Sequence, residues 1–228
     1  MNPIHFRIRN WCCIYLLLAE VTAHSQINYI QNGDFQTGTL SDWTVFLTSN
    51  GTLGSGSGLP NVSAFDVAGT GTSSDAAQFQ AGEVVYNKGS DQGGGLSQTF
   101  DCPAGSYLVS ADVAADNVVL RYPYNYDAGS FSVFVDGSLI TSVDLGAINA
   151  GQILRDTLAA TVLLGQGSHQ ISFEIARPWL GGIGYGATPL EYLDNLQVLA
   201  IPEPTSLGYL SLGVMLVCWR MKSPQKAV

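Results

Sequence analysis

Phe131-Ser132-Val133-Phe134-Val135-Asp136-Gly137-Ser138-Leu139-Ile140-Thr141-Ser142-Val143-Asp144-Leu145 places short runs rich in aromatic and β-branched residues on both sides of Asp136-Gly137. Short runs of aromatic and β-branched residues describe strands, and Asp-Gly between two such runs is a strong hairpin signal. The spacing predicts strands over 131–135 and 139–145 joined by that turn. Outward from it, Gly105 to Val113 alternates after Pro103. The runs 157–163 and 169–176 are expected to pair with each other across Gly165-Gln166-Gly167, and Tyr192 to Leu199 reads as the last strand. Helical periodicity is almost absent, so about nine short strands separated by Gly, Asn, Asp and Ser predict an all-β domain, a β-sandwich. The Gly/Ser-rich stretches 49–58 and 69–74 read as surface loops inside one domain.

The two ends differ from this body. Arg7 and Arg9 precede the apolar run Trp11 to Ala19, and Val21-Thr22-Ala23 supplies small residues for cleavage. A signal peptide is expected over 1–25, removed by signal peptidase. At the other end, Pro202-Glu203-Pro204 leads into an uncharged apolar run over 205–219, then Arg220, Lys222 and Lys226. Each proline fixes φ and holds the preceding residue extended, so this peptide is expected to be exposed. The run is about 15 residues, short of the roughly 20 that cross a bilayer comfortably. It reads as a short transmembrane helix with its cations on the cytoplasmic side, or as a buried C-terminal helix of a soluble domain. Cations at both ends place the domain between them, 26–200, on the exported side.

The order Pro-Glu-Pro, short hydrophobic helix and basic end resembles the PEP-CTERM sorting signal of Gram-negative bacteria, over about 201–222. The resemblance implies that Pro202, Glu203 and Pro204 are presented to an exosortase while Arg220 and Lys222 hold the end inside. It implies an inner-membrane precursor with its domain in the periplasm, later released or attached at the cell surface, often in strains that make exopolysaccharide. Ser223-Pro224-Gln225 interrupts the basic end, a departure from the pattern.

The chain carries a net charge of −9. Within 26–200 the only bases are Lys88, Arg121, Arg155 and Arg177, against sixteen acids. Such a domain is repelled by nucleic acid and by anionic membrane surfaces. Cys102 is its single cysteine, so no disulfide forms within it.

A second resemblance lies at the ends of the body. Asn32-Gly33-Asp34-Phe35-Gln36, followed by Ser41-Asp42-Trp43, is similar to the opening of galactose-binding-like jelly rolls, and Tyr192-Leu193-Asp194-Asn195-Leu196 to their closing strand. Carbohydrate-binding modules share this fold, so the resemblance implies a jelly-roll β-sandwich with Trp43 in its core. In many such modules the opening glutamate and the closing aspartate help hold a structural calcium. Asp194 matches the closing position, Gln36 stands in place of the glutamate, and Asp34 is a further candidate ligand. Otherwise Asp194 and Asn195 pin the chain ends by hydrogen bonds.

Catalytic constellations are scarce. No nucleophile elbow, zinc spacing or phosphate loop is present. Glu83, Glu174 and Glu191 are available, but spacing pairs none of them, and Glu174 alternates with core residues so as to face solvent. His169 reads as an edge or turn histidine. The chain is therefore expected not to be an enzyme. Aromatic residues in polar loops point instead to sugar, whose C–H faces stack on rings while its hydroxyls need polar partners. Tyr122, Tyr124 and Tyr126 lie in one such loop, and Arg177, Trp179 and Tyr185 in another; these six are the candidate ligand contacts, or else their rings cover the ends of the core. The expected function is an envelope or extracellular-matrix protein that binds polysaccharide, with protein contacts as the alternative and hydrolysis third.

Overall fold

A computed structural model describes residues 26–54, 57–85, 90–118, 124–178 and 188–202. The strands in chain order are β1 (Thr44–Leu47), β2 (Gly51–Thr52), β3 (Asn61–Phe65), β4 (Ser74–Phe79), β5 (Gly82–Glu83), β6 (Gln92–Cys102), β7 (Gly105–Asp116), β8 (Tyr124–Asn125), β9 (Ser130–Val135), β10 (Ser138–Asp144), β11 (Ile148–Asn149), β12 (Ile153–Leu164), β13 (Gly167–Arg177) and β14 (Leu190–Ala200). Two five-stranded antiparallel sheets, ordered β1-β6-β13-β9-β10 and β12-β7-β14-β4-β3, face each other as a jelly-roll β-sandwich. The ribbons β2-β5 and β8-β11 are attached to them. Among the described residues no helix is long and apolar enough to cross a membrane. The expected signal peptide, Glu203 to Pro204 and the apolar run over 205–219 lie outside the described residues.

Alternation builds the core. In β9 the side chains of Phe131, Val133 and Val135 are buried, while Ser130, Ser132 and Phe134 face outward. Ile171, Phe173 and Ile175 of β13 join them, and Val109, Ala111 and Val113 of β7 approach from the opposite sheet. Phe173 is the hub, with ring centroids 6.1 Å from Phe131 and 6.4 Å from Phe79. Removing such a ring costs about 3–5 kcal/mol, because neighbours relax only partly into the space.

Asp136-Gly137 forms the expected turn. Its φ values of 51° and 74° are both positive, as a type I′ hairpin requires. The pairing expected across Gly165-Gln166-Gly167 does not form. β12 pairs along its whole length with β7, whereas β13 pairs with β6 and β9 in the other sheet. The Gly165–Gly167 stretch, with Gly167 at φ 136°, carries the chain across the sandwich. Both strands supply apolar residues to the space between the sheets, so opposite sheets bury them as well as adjacent places would. Pro103 to Ala104 makes a similar crossing between β6 and β7, which also lie in different sheets.

The opening motif packs on the closing strand. Phe35 is fully buried and Trp43 is 8% exposed, with centroids 6.1 Å apart. The Trp43 indole donates to Asn32 O at 2.9 Å. Leu196 N donates to Gly33 O at 2.9 Å, and a Cβ on Gly33 would run into Leu196 O. Glycine is therefore required there. A β-bulge between Asp194 and Gln197, with Asn195 at φ 52°, turns β14 toward this contact. Cys102 is a buried free thiol.

Candidate functional site

Of the candidate ligand contacts, Tyr122, Trp179 and Tyr185 lie outside the described residues. So do Glu203, Pro204, Arg220 and Lys222 of the expected sorting signal, while Pro202 is exposed just beyond β14. Tyr124 and Tyr126 are exposed, at 37% and 53%. Their rings meet edge to face with centroids 4.8 Å apart, and their hydroxyls are 2.7 Å apart. That hydroxyl contact raises the Tyr126 pKa. β8 pairs with β11, which sets Tyr124 opposite Asn149, whose side chain donates to Gln152. An aromatic pair thus stands beside amides on the surface.

Arg177 corrects the sequence reading. It is 1% exposed and its guanidinium points inward, so it does not reach a ligand at the surface. Its Nη2 donates to Asn125 Oδ1 at 3.1 Å and also to Asp127 O, its Nε to Asp127 O at 3.0 Å, and its Nη1 to Ala81 O at 3.3 Å. Strand alternation puts Asn125 inside and Tyr124 and Tyr126 outside. Arg177 is therefore a positioning residue, fastened beneath the two tyrosines through Asn125 and Asp127.

Glu191 shares that interior. It is fully buried, with Oε1 3.5 Å from Arg177 Nε and Oε2 accepting from Ala81 N at 2.9 Å. Oε1 has no hydrogen bond. Burial outweighs the nearby guanidinium and pushes the Glu191 pKa up to about 8. Burial likewise raises Asp127, partly offset by Arg177.

A second surface, not marked as a ligand site by the sequence reading, is the outer face of β1-β6-β13-β9-β10. Gly93, Gly94 and Gly95 fill one end of β6 because the strands lie too close for side chains: a Cβ on Gly93 would run into Ile175 O, and one on Gly95 into Phe173 O. In register across the sheet run Phe46, Gly95, Glu174, Ser132 and Ser142, and in the next row Thr44, Ser97, Ser172 and Phe134. Glu174 thus stands on a floor of glycine and serine between two phenylalanines. It does face outward, as expected, but it is half-buried, and that burial alone raises its pKa. No hydrogen bond or ion pair reaches its carboxylate among the described residues. The sequence signal was the three consecutive glycines inside a strand, which mark a close backbone approach.

The candidate calcium ligands do not assemble into a cage. Gln36 is exposed and its amide donates to Asp34 O at 2.9 Å. Asp194 is 1% exposed, accepting from Ser74 Oγ at 2.6 Å and Asn195 N at 2.7 Å. Burial raises its pKa, with Asp112 and Asp34 adding to the effect. Among the described residues no group of three acidic, histidine or cysteine side chains is placed to hold an ion. Asp34 and Asp112 instead help line a polar cavity of about 540 Å³ with Asn28, Asn32 and Asn195.

Neither a protein-family profile nor a curated protein sequence matches the chain. Several solved structures do resemble it. TmCBM61 in complex with β-1,4-galactotriose is 16% identical, covers 77% of this chain and 99% of its own, and has a TM-score of 0.47. The CBM22-1–GH10 modules of Clostridium thermocellum endo-1,4-β-D-xylanase 10B, complexed with xylohexaose, are 11% identical, with coverage of 77% of this chain and 29% of that one and a TM-score of 0.43. The K1 cleaved adhesin domain of Lys-gingipain from Porphyromonas gingivalis W83 is 14% identical, with 74% and 96% coverage and a TM-score of 0.42. Carbohydrate-binding modules are thus among the structures that this jelly roll resembles.

Proposed function

We propose that this chain is a non-catalytic jelly-roll protein that binds a neutral polysaccharide, and that it is exported and sorted to the cell surface or extracellular matrix. The observation that carries the binding reading is Glu174: a half-buried carboxylate without a partner among the described residues, on a sheet face cleared by Gly93–Gly95 and flanked by Phe46 and Phe134. A carboxylate so placed accepts hydrogen bonds from vicinal hydroxyls, while the rings stack on C–H faces. Tyr124 and Tyr126 extend the aromatic surface near the end of β13, whose last residue, Arg177, anchors their loop. A net charge of −9 disfavours uronic or sulfated chains.

The sorting part of the reading rests on the tail. β14 ends at Ala200, Ile201 N donates to Ser106 O at 2.8 Å, and Pro202 is exposed. Pro202, the first residue of the Pro-Glu-Pro sequence, is therefore exposed where the sheet ends, which supports this reading. An exosortase would cut there and a signal peptidase near residue 25.

Affinity electrophoresis of the full chain in gels carrying neutral or uronic polysaccharides tests the binding reading. Retardation is expected with a neutral polymer and not with a uronic one. Glu174→Ala is expected to weaken binding about tenfold or more, and Tyr124→Ala with Tyr126→Ala by a similar factor. Retardation unchanged by all three substitutions would reject the site, and no retardation by any polymer would reject the function.

A further inference from the structure

β12 is an edge strand of twelve residues, paired among the described strands only with β7. The other sheet edges are shorter: four residues in β1, five in β3 and seven in β10. A long open edge presents N–H and C=O groups to any second strand, and proteins ordinarily protect such edges with charge, proline or bulges. β12 has little of this protection. Thr157 to Leu164 carries no charge, and the strand's two charged residues, Arg155 and Asp156, are adjacent and opposite in sign. Its outward face also exposes two aliphatic residues that no core contact explains, Ile153 at 37% and Leu163 at 79%.

These two residues lie five positions to either side of Leu158. A second β12 laid antiparallel along the edge, with the two-fold axis at Leu158, sets Ile153 of each copy opposite Leu163 of the other. The same register sets Leu154 opposite Val162, Arg155 opposite Thr161, Asp156 opposite Ala160 and Thr157 opposite Ala159. No like charges are opposed, and the faces match, because paired residues differ by an even number of positions. Moving the axis to Ala159 would bring Leu163 against Arg155 instead.

We infer that β12 is a self-pairing edge, through which two copies of this chain join into one continuous antiparallel sheet. A second copy fits this edge better than an unrelated strand because the match is self-complementary: the two-fold axis repeats each apolar contact without a new surface. In a chain of net charge −9, copies must meet where the acids are few. β12 meets that condition along its last eight residues. The outer face of the β6-containing sheet, with Glu174, stays open in such a dimer, since the junction lies in the other sheet. Polysaccharide binding and self-pairing therefore stand or fall separately.

Sedimentation velocity of the full chain in a mild non-ionic detergent, over a roughly hundredfold concentration range, reads the equilibrium. A concentration-dependent dimer is expected. Leu163→Lys should weaken it about tenfold or more by placing a cation against Ile153. Because Leu163 is exposed, the variant keeps the wild-type fold, which circular dichroism checks. In a second arm, the double variant Ile153→Cys with Leu163→Cys should form disulfide-linked dimers on mild oxidation, above the background of the chain's own cysteines. Either single variant should stay at background. A monomer throughout, a dimer indifferent to Leu163→Lys, or cross-linking by Leu163→Cys alone would overturn the proposal.

Discussion

His169 Nδ1 lies 2.7 Å from Asp136 Oδ2, and its Nε2 lies 3.0 Å from Gly165 O. A carboxylate and a carbonyl can only accept, so the ring donates from both nitrogens only as imidazolium. The contact ties the β9–β10 turn to the crossing between β12 and β13. The Asp136 carboxylate, then the Gly165 carbonyl, raise the His169 pKa, and His169 lowers that of Asp136. A raised histidine stabilises fully below its unfolded value near 6.5, and the effect is lost as pH rises through the folded value. A lowered aspartate stabilises above its unfolded value near 3.9, and the effect is lost as pH falls through the folded one. The tie is thus strongest between about pH 4 and 6.5. His169→Gln should lower the melting temperature by about 2–4 °C within that window, as fits a partly exposed pair worth up to ~1 kcal/mol. The gap should close at higher pH. An equal gap at pH 5 and pH 9 would refute the pairing.

Glu191 acts in the same direction for another reason. Its pKa rises to about 8 because burial disfavours the ionised form. A raised acid is neutral in the fold, so stability is greatest below its unfolded value near 4.3 and falls as pH rises toward 8. Glu191→Gln cannot ionise and keeps an oxygen for Ala81 N. Its thermal stability should decline less than that of the wild type between pH 5 and 8; parallel curves would show that Glu191 is ionised throughout.

Gly95→Ala and Gly33→Ala test whether the close approaches are obligatory. Each added methyl meets a neighbouring backbone carbonyl, of Phe173 or Leu196, that cannot swing away as a side chain could. A loss of about 3 kcal/mol or more is expected for each, a drop on the order of 10 °C in melting temperature. Gly137→Ala, with open space around it but φ of 74°, should cost only about 1 kcal/mol. Losses at Gly33 and Gly95 no larger than that at Gly137 would show that the backbone gives way to the methyl and that these close approaches are not obligatory.

Calcium added after chelation should move the melting temperature by less than about 1 °C, because Asp194 is already held by Ser74 and Asn195 while Gln36 turns to Asp34. A rise of several degrees that Asp194→Asn abolishes would mean that these side chains reorganise around the ion.

Much of the strand content was legible, because alternation is a local property. Phe131 to Val135 and the Asp136-Gly137 turn follow from neighbours a few residues away, whereas the core place of Trp43 was legible only through the resemblance of its opening motif. Strand partners were not legible in the same way. Gly165-Gln166-Gly167 reports a change of direction, and the choice between a hairpin and a crossing is made by β7 and β6, whose residues pair from roughly 50 and 75 positions earlier in the chain. The site was legible in part for the same reason. Tyr124 and Tyr126 stand out as aromatic residues in a polar loop, but the inward turn of Arg177 depends on Asn125, Asp127 and Ala81. Glu174 looked ordinary until register placed Gly95 and Ser132 on its two sides.

The placement of β14 has a consequence for how the chain matures. This strand is the last made of the described strands, yet it lies at the centre of its sheet, between β7 and β4, and Asn28 and Gly33 bond to its residues Val198 and Leu196. A nascent chain that stops before Leu190 leaves β7 and β4 without their shared neighbour and the opening Phe35–Trp43 turn without its seat. Native pairing must therefore wait for the C-terminal segment, which makes folding a late and long-range event rather than a stepwise one. A chain truncated within β14 should be recovered unfolded or degraded, however complete its first 189 residues are.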